Sequence, residues 1–132
     1  MNRRHFITAA VALAALPHAA FAAEFVTYSP GVIEKALGEG KTVFVDYSAS
    51  WCGTCKRQGR VINALRTSNP NYDAAMVFVK VDWDDFGKHS VTKSRNIPRR
   101  STLLVLRGDK ELGRIVAGTG ESEIKALMDT GL

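Results

Sequence analysis

The sequence predicts one α/β domain with a central mixed β-sheet and helices on both faces. Three observations carry that expectation. Near-continuous apolar runs rich in Val, Leu and Phe alternate with segments of helical spacing. The chain ends in two strand-like runs joined by a turn signal and then a helical run, so crossover pairing and hairpin pairing meet in one sheet. A length of 132 residues, 45% of them hydrophobic and 23% charged, suits one foldable domain and excludes disordered or collagen-like sequence.

Residues 1–22 read as an address, with 23–132 as the mature domain. Arg3 and Arg4 make a basic start, an apolar run extends from Phe6 to Leu16, and Ala20-Phe21-Ala22 has the small-x-small form of a cleavage site. The apolar run is shorter than the roughly 20 residues that span a bilayer, which favours a signal peptide over an anchor. Arg3-Arg4-His5-Phe6-Ile7 has the pattern of the twin-arginine signal, which in bacteria sends folded proteins outward. A general secretory peptide with paired arginines is the alternative. Either way the mature domain is expected to be soluble in the periplasm.

Ser29-Pro30-Gly31 opens a short helix with Pro at its first position, and Val32, Ile33, Ala36 and Leu37 share one face. Lys41–Ala49 is a strand whose nearly unbroken apolar run marks it as central and buried. Within Lys56–Ser68 the spacing of Val61, Ile62 and Leu65 is helical, and Asn69-Pro70-Asn71 breaks the chain. Ala75–Val81 is a second buried strand, and Phe86–Arg95 a weaker helical segment. Thr102–Arg107 and Glu111–Ala117 pair as a hairpin around Gly108-Asp109-Lys110. Glu121–Met128 closes the domain as a helix with Ile124, Leu127 and Met128 inward. His89 is expected at the surface, and Asp82-Trp83-Asp84-Asp85 reads as a solvated turn.

The net charge of +5 is modest and forms no continuous basic stripe, so a nucleic-acid partner has no support. Two cysteines cannot build a multi-bridge scaffold. Their spacing and place carry more information. In Cys52-Gly53-Thr54-Cys55 the sulfurs stand three residues apart where a strand gives way to a helix, so they can reach disulfide distance. Unpaired N–H groups and the helix dipole stabilise a thiolate at Cys52, a better nucleophile at neutral pH and a better leaving group. Cys52 is expected to be the exposed attacking sulfur, and Cys55 the one that resolves the mixed disulfide.

Other uses of the pair fit less well. A purely structural bridge over so short a loop stabilises by about 2 kcal/mol or less. A metal site needs about four ligands, and His89 is the one further Cys or His after residue 22. Sharing a metal across a dimer keeps that alternative open, whereas haem attachment needs a His where Lys56 stands. Gly118-x-Gly120 lacks a dinucleotide fingerprint and reads as a loop. No cofactor beyond a Cys52–Cys55 redox disulfide is expected.

The run Val43-Phe44-Val45-Asp46-Tyr47-Ser48-Ala49-Ser50-Trp51-Cys52-Gly53-Thr54-Cys55-Lys56 resembles the active-site strand and helix start of the thioredoxin superfamily. It is especially similar to the periplasmic C-terminal domain of the thiol:disulfide interchange protein DsbD. Asn96–Leu104 resembles the segment entering the third strand, and Gly108–Leu132 the terminal hairpin and helix. The resemblance implies a thioredoxin fold and a thiol-disulfide oxidoreductase, a reductant rather than an oxidase. It also implies protein disulfides as substrates and a membrane electron donor of the DsbD type. A monomer is expected.

The resemblance assigns Trp51 to shielding the cysteines and meeting partners beside Gly53 and Thr54, and Asp46 to the buried acid beneath the pair. A carboxyl in a central strand is costly to ionise, so its pKa rises and it can exchange protons with Cys55. Solvation of Asp46 at a sheet edge is the alternative. Lys80 matches the lysine beside that acid, or else simply reaches solvent from a strand face.

One departure stands out. The family places a cis-proline just before the Thr of the third strand, here Thr102. Without gaps that slot holds Ser101, and the Arg100–Ser101 bond is expected to be trans because a non-proline cis bond costs ~3 kcal/mol. Alternatively Pro98 fills the slot and Arg99–Ser101 is an insertion. Ser101 also keeps open a binding reading, a thioredoxin-fold metal chaperone or adaptor using the same cysteines. Arg99 and Arg100 either steer an acidic partner or form a solvated basic loop.

Overall fold

The computed structural model describes residues 24–132; the signal peptide expected at 1–22 lies outside them. In chain order the elements are β1 (Val26–Thr27), α1 (Val32–Gly38), β2 (Thr42–Ser48), α2 (Gly53–Ser68), α3 (Asn71–Ala75), β3 (Met76–Asp82), α4 (Trp83–Phe86), α5 (Ser90–Lys93), β4 (Thr102–Arg107), β5 (Lys110–Val116) and α6 (Glu121–Asp129). They form a five-stranded sheet in the order β1-β3-β2-β4-β5. Strands β1 and β2 run parallel to β3, while β4 is antiparallel to β2 and β5 to β4. The expected mixed sheet is present.

β2 occupies the middle of the sheet, and its alternating side chains serve two cores. Val43, Val45 and Tyr47 pack with Ile33 and Ala36 of α1, Val91 of α5, and Val79, Val81, Leu104 and Leu106. Phe44 packs on the other face with Ile62 and Leu65 of α2, Tyr72 of α3, and Ile124, Leu127 and Met128 of α6. Each such side chain, fully buried, contributes about 1.5–3 kcal/mol. The period of two puts Asp46 on the Phe44 face, beneath α2.

Several expectations need correction. β1 and α3 were not anticipated: the first is a two-residue strand and the second follows Pro70 inside the apparent break. Gly31 takes φ 93°, a left-handed conformation that suits glycine, so α1 starts at Val32 and Pro30 precedes the cap. The stretch read as a solvated turn is instead α4, capped by the Asp82 carboxylate, and the helix expected over 86–95 shrinks to α5, because Gly87 ends α4 and the His89 ring nitrogen accepts the Val91 N–H to start α5. His89 is half-buried, edge-on to the rings of Tyr28 and Phe86. The hairpin turn is as expected; Gly108 takes φ 59° at the first place of a two-residue loop. Among the described residues no helix is long and apolar enough to cross a membrane.

Candidate active site

The chain leaves β2 through Ala49, Ser50 and Trp51 and turns into α2, with Cys52 as the N-cap residue. Its sulfur takes the place of the usual oxygen cap, accepting the Cys55 N–H at 3.2 Å. The first turn of α2 contains no acid, so the positive end of the helix acts on that sulfur unopposed. Cys55 lies one turn inward, and both thiols are free.

Ser101, the last residue before β4, faces both sulfurs. Its Oγ is 3.2 Å from Cys52 Sγ and 3.0 Å from Cys55 Sγ. A hydroxyl has one proton to donate and lone pairs to accept with. It can therefore take the Cys55 thiol proton as a hydrogen bond while donating its own to a Cys52 thiolate. Burial by itself raises the Cys52 pKa. Hydrogen bonds from the Cys55 thiol, Ser101, the Cys55 N–H and the Arg100 side chain outweigh burial and bring it from 9.0 down to about 7.

The expected exposure of Cys52 is not found. Cys52 and Cys55 are each 3% exposed. Ser101 covers both sulfurs, Arg100 reaches Cys52, and Trp83 packs against the cluster of Ala49, Cys52 and Cys55. Trp51 is the open part of the site at 57% exposure. Both oxygens of the Asp84 carboxylate accept from its indole N–H at 3.1 Å, and the Arg100 guanidinium carbon lies 4.6 Å from its ring centre. Gly53 is exposed and Thr54 half-buried beside it.

Ser101 settles the alignment of the loop. It is the residue against the sulfurs, whereas Pro98 is exposed, and all described peptide bonds are trans. Ser101 takes φ 64°, uncommon for a residue with a side chain, and three hydrogen bonds to its own N–H and carbonyl hold it there. Its N–H donates to Tyr47 O at 2.7 Å, and its carbonyl accepts from Ala117 N–H and Gln58 Nε2, each at 2.9 Å. Thr102 is buried and donates its hydroxyl to the Arg99 carbonyl at 2.7 Å, bracing the same loop.

Asp46 is 1% exposed on the central strand, so the sheet-edge alternative is ruled out. Burial pushes its pKa up to about 7 from the usual 3.8, with the Lys80 charge partly offsetting the rise, and its Oδ1 has no hydrogen-bond partner. Lys80 stands directly across from it in the β2–β3 register. Lys80 is exposed, with its Nζ 4.9 Å from the Phe25 ring centre, so it reaches solvent from the strand face as well as standing beside the acid. A cleft of about 430 Å³ beside α2 is lined by Cys55, Lys56, Arg60, Asn63 and Lys80, among others.

Two residues of the site were not anticipated. Gln58 is fully buried and ties the Ser101 carbonyl to that of Gly118, both at 2.9 Å. The spacing of Cys55, Gln58, Ile62 and Leu65 places it on the inward face of α2, and a polar residue there was the available signal. Asp84 belongs to the segment read as a solvated turn, and its hold on Trp51 has no sequence signature. Among the described residues no group of three or more His, Cys, Asp and Glu side chains is gathered as a metal site.

Two thiols on one helical turn, the first made acidic at the helix N-terminus, define a thiol-disulfide oxidoreductase on a mixed α/β sheet. The exchange needs no cofactor, because the sulfur pair itself holds the electrons. The chain belongs to the thioredoxin family, whose model, described as Thioredoxin, matches residues 26–130. It is 32% identical to Thioredoxin-1 of Saccharomyces cerevisiae over 92 residues, covering 70% of this chain and 82% of that protein. Over 96 residues it is 29% identical to a thioredoxin of Echinococcus granulosus, covering 73% of this chain and 83% of that one. The crystal structure of Trxlp from Edwardsiella tarda superposes with a TM-score of 0.67 at 29% identity, covering 82% of this chain and 98% of that one. A Malassezia sympodialis thioredoxin superposes with a TM-score of 0.72 at 22% identity, covering 87% and 96%, and shares the fold.

Proposed function

We propose that this protein is a periplasmic reductant of protein disulfides, exported on a twin-arginine signal peptide cut after Ala22 and active as a monomer. The observation that carries the redox reading is Cys52 Sγ, bonded by the Cys55 N–H and faced by the Ser101 hydroxyl at the N-terminus of α2. The pattern of residues 1–22 supports export.

In the first step the Cys52 thiolate attacks one sulfur of a substrate disulfide. A mixed disulfide forms, the substrate S–S bond breaks, and the departing thiolate takes up a proton from water. With a pKa of about 7, Cys52 is abundantly ionised at neutral pH. In the second step Asp46, as carboxylate, accepts the Cys55 proton. Cys55 then attacks Cys52 Sγ, and the second substrate thiolate leaves and is protonated. Two electrons have passed to the substrate, and Cys52–Cys55 is a disulfide. A carboxyl with a pKa of about 7 can accept and return a proton in one cycle. Lys80 favours its ionised form and lines the cleft through which the proton returns to water. Trp51, Gly53 and Thr54 form the rim that meets substrate, while Ser101 and Thr102, both buried, do not line an open surface and instead shape the loop opposite that rim.

A Cys52 pKa of about 7 supports the reducing direction, since strong oxidants of this chemistry hold their thiols several units lower. The periplasm has no soluble thiol buffer, so a membrane thiol donor of the DsbD type returns the electrons. Insulin reduction with dithiothreitol tests the exchange: the wild type is active, Cys52→Ser is inert, and full activity in Cys52→Ser overturns the mechanism. The equilibrium constant against glutathione tests direction, and a potential close to that of strong oxidants overturns the reductant reading.

A further inference from the structure

We infer that Arg100 makes this enzyme selective for disulfides flanked by an acidic residue, offering beside the attacking sulfur a guanidinium that no carboxylate pairs. The inference rests on the exchange reading and names the substrate class for it.

Arg100 directly precedes Ser101, whose hydroxyl faces both sulfurs, and its charged side chain helps to favour the Cys52 thiolate. Its guanidinium carbon sits 4.6 Å from the ring centre of Trp51, so the charge lies between the exposed indole and Cys52. A guanidinium has five N–H donors in a planar fork. Nε of Arg100 is buried with no partner, and no acid among the described residues forms an ion pair with Arg100. Asp84, which shares Trp51 with Arg100, gives both carboxylate oxygens to the indole N–H.

A substrate sulfur must come within bonding distance of Cys52 Sγ. The residues on either side of that substrate cysteine then pass over Trp51 and within reach of the guanidinium. A carboxylate there satisfies the free donors with charge-assisted bonds, and a lysine meets like charge in a partly desolvated place. Arg99 does not share this position. Its Nε donates to the Arg100 carbonyl at 3.0 Å, folding the side chain back on the loop.

The test compares kcat/KM for two disulfide peptides that differ in one flanking residue, Asp or Lys. The wild type is expected to favour the Asp peptide by about tenfold, chiefly through KM. Arg100→Gln cuts that ratio at least threefold, Arg100→Lys restores part of it, and Arg99→Gln leaves it within twofold of wild type. Any effect of Arg100 on Cys52 reactivity changes both peptides alike and cancels in the ratio. Should Arg100→Gln fail to fold, the wild-type ratio is measured at rising ionic strength, where it must fall toward one. A wild-type ratio near one overturns the inference, as does a ratio unchanged in Arg100→Gln or insensitive to salt. Equal losses in Arg99→Gln and Arg100→Gln overturn it in favour of a diffuse positive field. A wild type that reduces insulin but shows no peptide preference sinks the selectivity alone; one that reduces neither insulin nor peptide sinks the exchange reading as well.

Discussion

The Ser101 hydroxyl lies 3.0 Å from the Cys55 sulfur, close enough to accept its thiol proton while donating to Cys52 at 3.2 Å. A proline in that place offers neither group. Ser101→Ala removes one donor from the Cys52 thiolate while keeping the backbone, so the Cys52 pKa should rise from about 7 toward the free-thiol value. The pH dependence of iodoacetamide alkylation measures it, with an expected rise of about one unit. Because the donor stabilises the reduced form, the variant should also be more reducing, by up to roughly 30 mV at a pH well above 8 and by less near pH 7. An alkylation midpoint that does not move would mean the hydroxyl only fills space.

Restoring proline at 101 is expected to harm this protein. Ser101 sits at φ 64° and its N–H donates to Tyr47 O at 2.7 Å. Proline holds φ near −65° and has no N–H, so Ser101→Pro loses the bond and forces the loop out of its conformation. Chemical denaturation should show a loss of about 3 kcal/mol or more. A variant as stable as wild type would mean the loop can switch to another backbone path.

The sheet and the cysteine pair were legible because local pattern determines them. Short unbroken apolar runs bounded by turn signals, such as Thr102–Arg107, read as buried strands, and the cysteine spacing fixes the two thiols on one turn. Ser101 was legible through its distance from Thr102, but its contact with both sulfurs depends on strands far apart in sequence. What stayed hidden is long-range or very short. β1 has two residues, too few for a period, and owes its existence to the edge of β3. Gln58 and Arg66 are polar residues on the inward face of α2, where pattern predicts apolar ones. Gln58 is answered by two carbonyls beyond residue 100, and Arg66 by Asp73 and the face of Phe78. Cys52 is buried rather than exposed for the same reason, since the residues covering it come from the start of α4 and the loop before β4.

Gln58 gives a test that separates shape from hydrogen bonding. Its amide nitrogen donates to two carbonyls inside the protein, so only a donor suits the position. Gln58→Glu is nearly isosteric but sets a carboxylate against two carbonyl oxygens, and should cost about 3 kcal/mol at pH 7. Gln58→Leu also loses the donor but buries no charge, and should cost less, about 1–2 kcal/mol. The gap should narrow toward pH 4, where the Glu variant is protonated and can donate once. Thermal melts across pH check this; equal losses at every pH would place the cost in packing instead.

Asp46 ties stability to the proton it is proposed to carry. In the unfolded chain its carboxyl ionises near the ordinary 3.8, but in the fold it holds its proton up to about 7. Between those values the folded state binds more protons than the unfolded state, so this group makes stability fall as pH rises from about 4 to about 7, and then level off. Asp46→Asn removes the slope. The two stability curves should meet below pH 4 and part above pH 7, with the variant more stable by an amount on the order of 2–4 kcal/mol. Reduction of insulin should move the other way, because the variant lacks the base for Cys55 and lets the mixed disulfide accumulate. A variant stabilised at pH 8 yet fully active would leave the buried carboxyl without a part in exchange. One less stable than wild type at pH 8 would mean the carboxylate has partners strong enough to outweigh its burial.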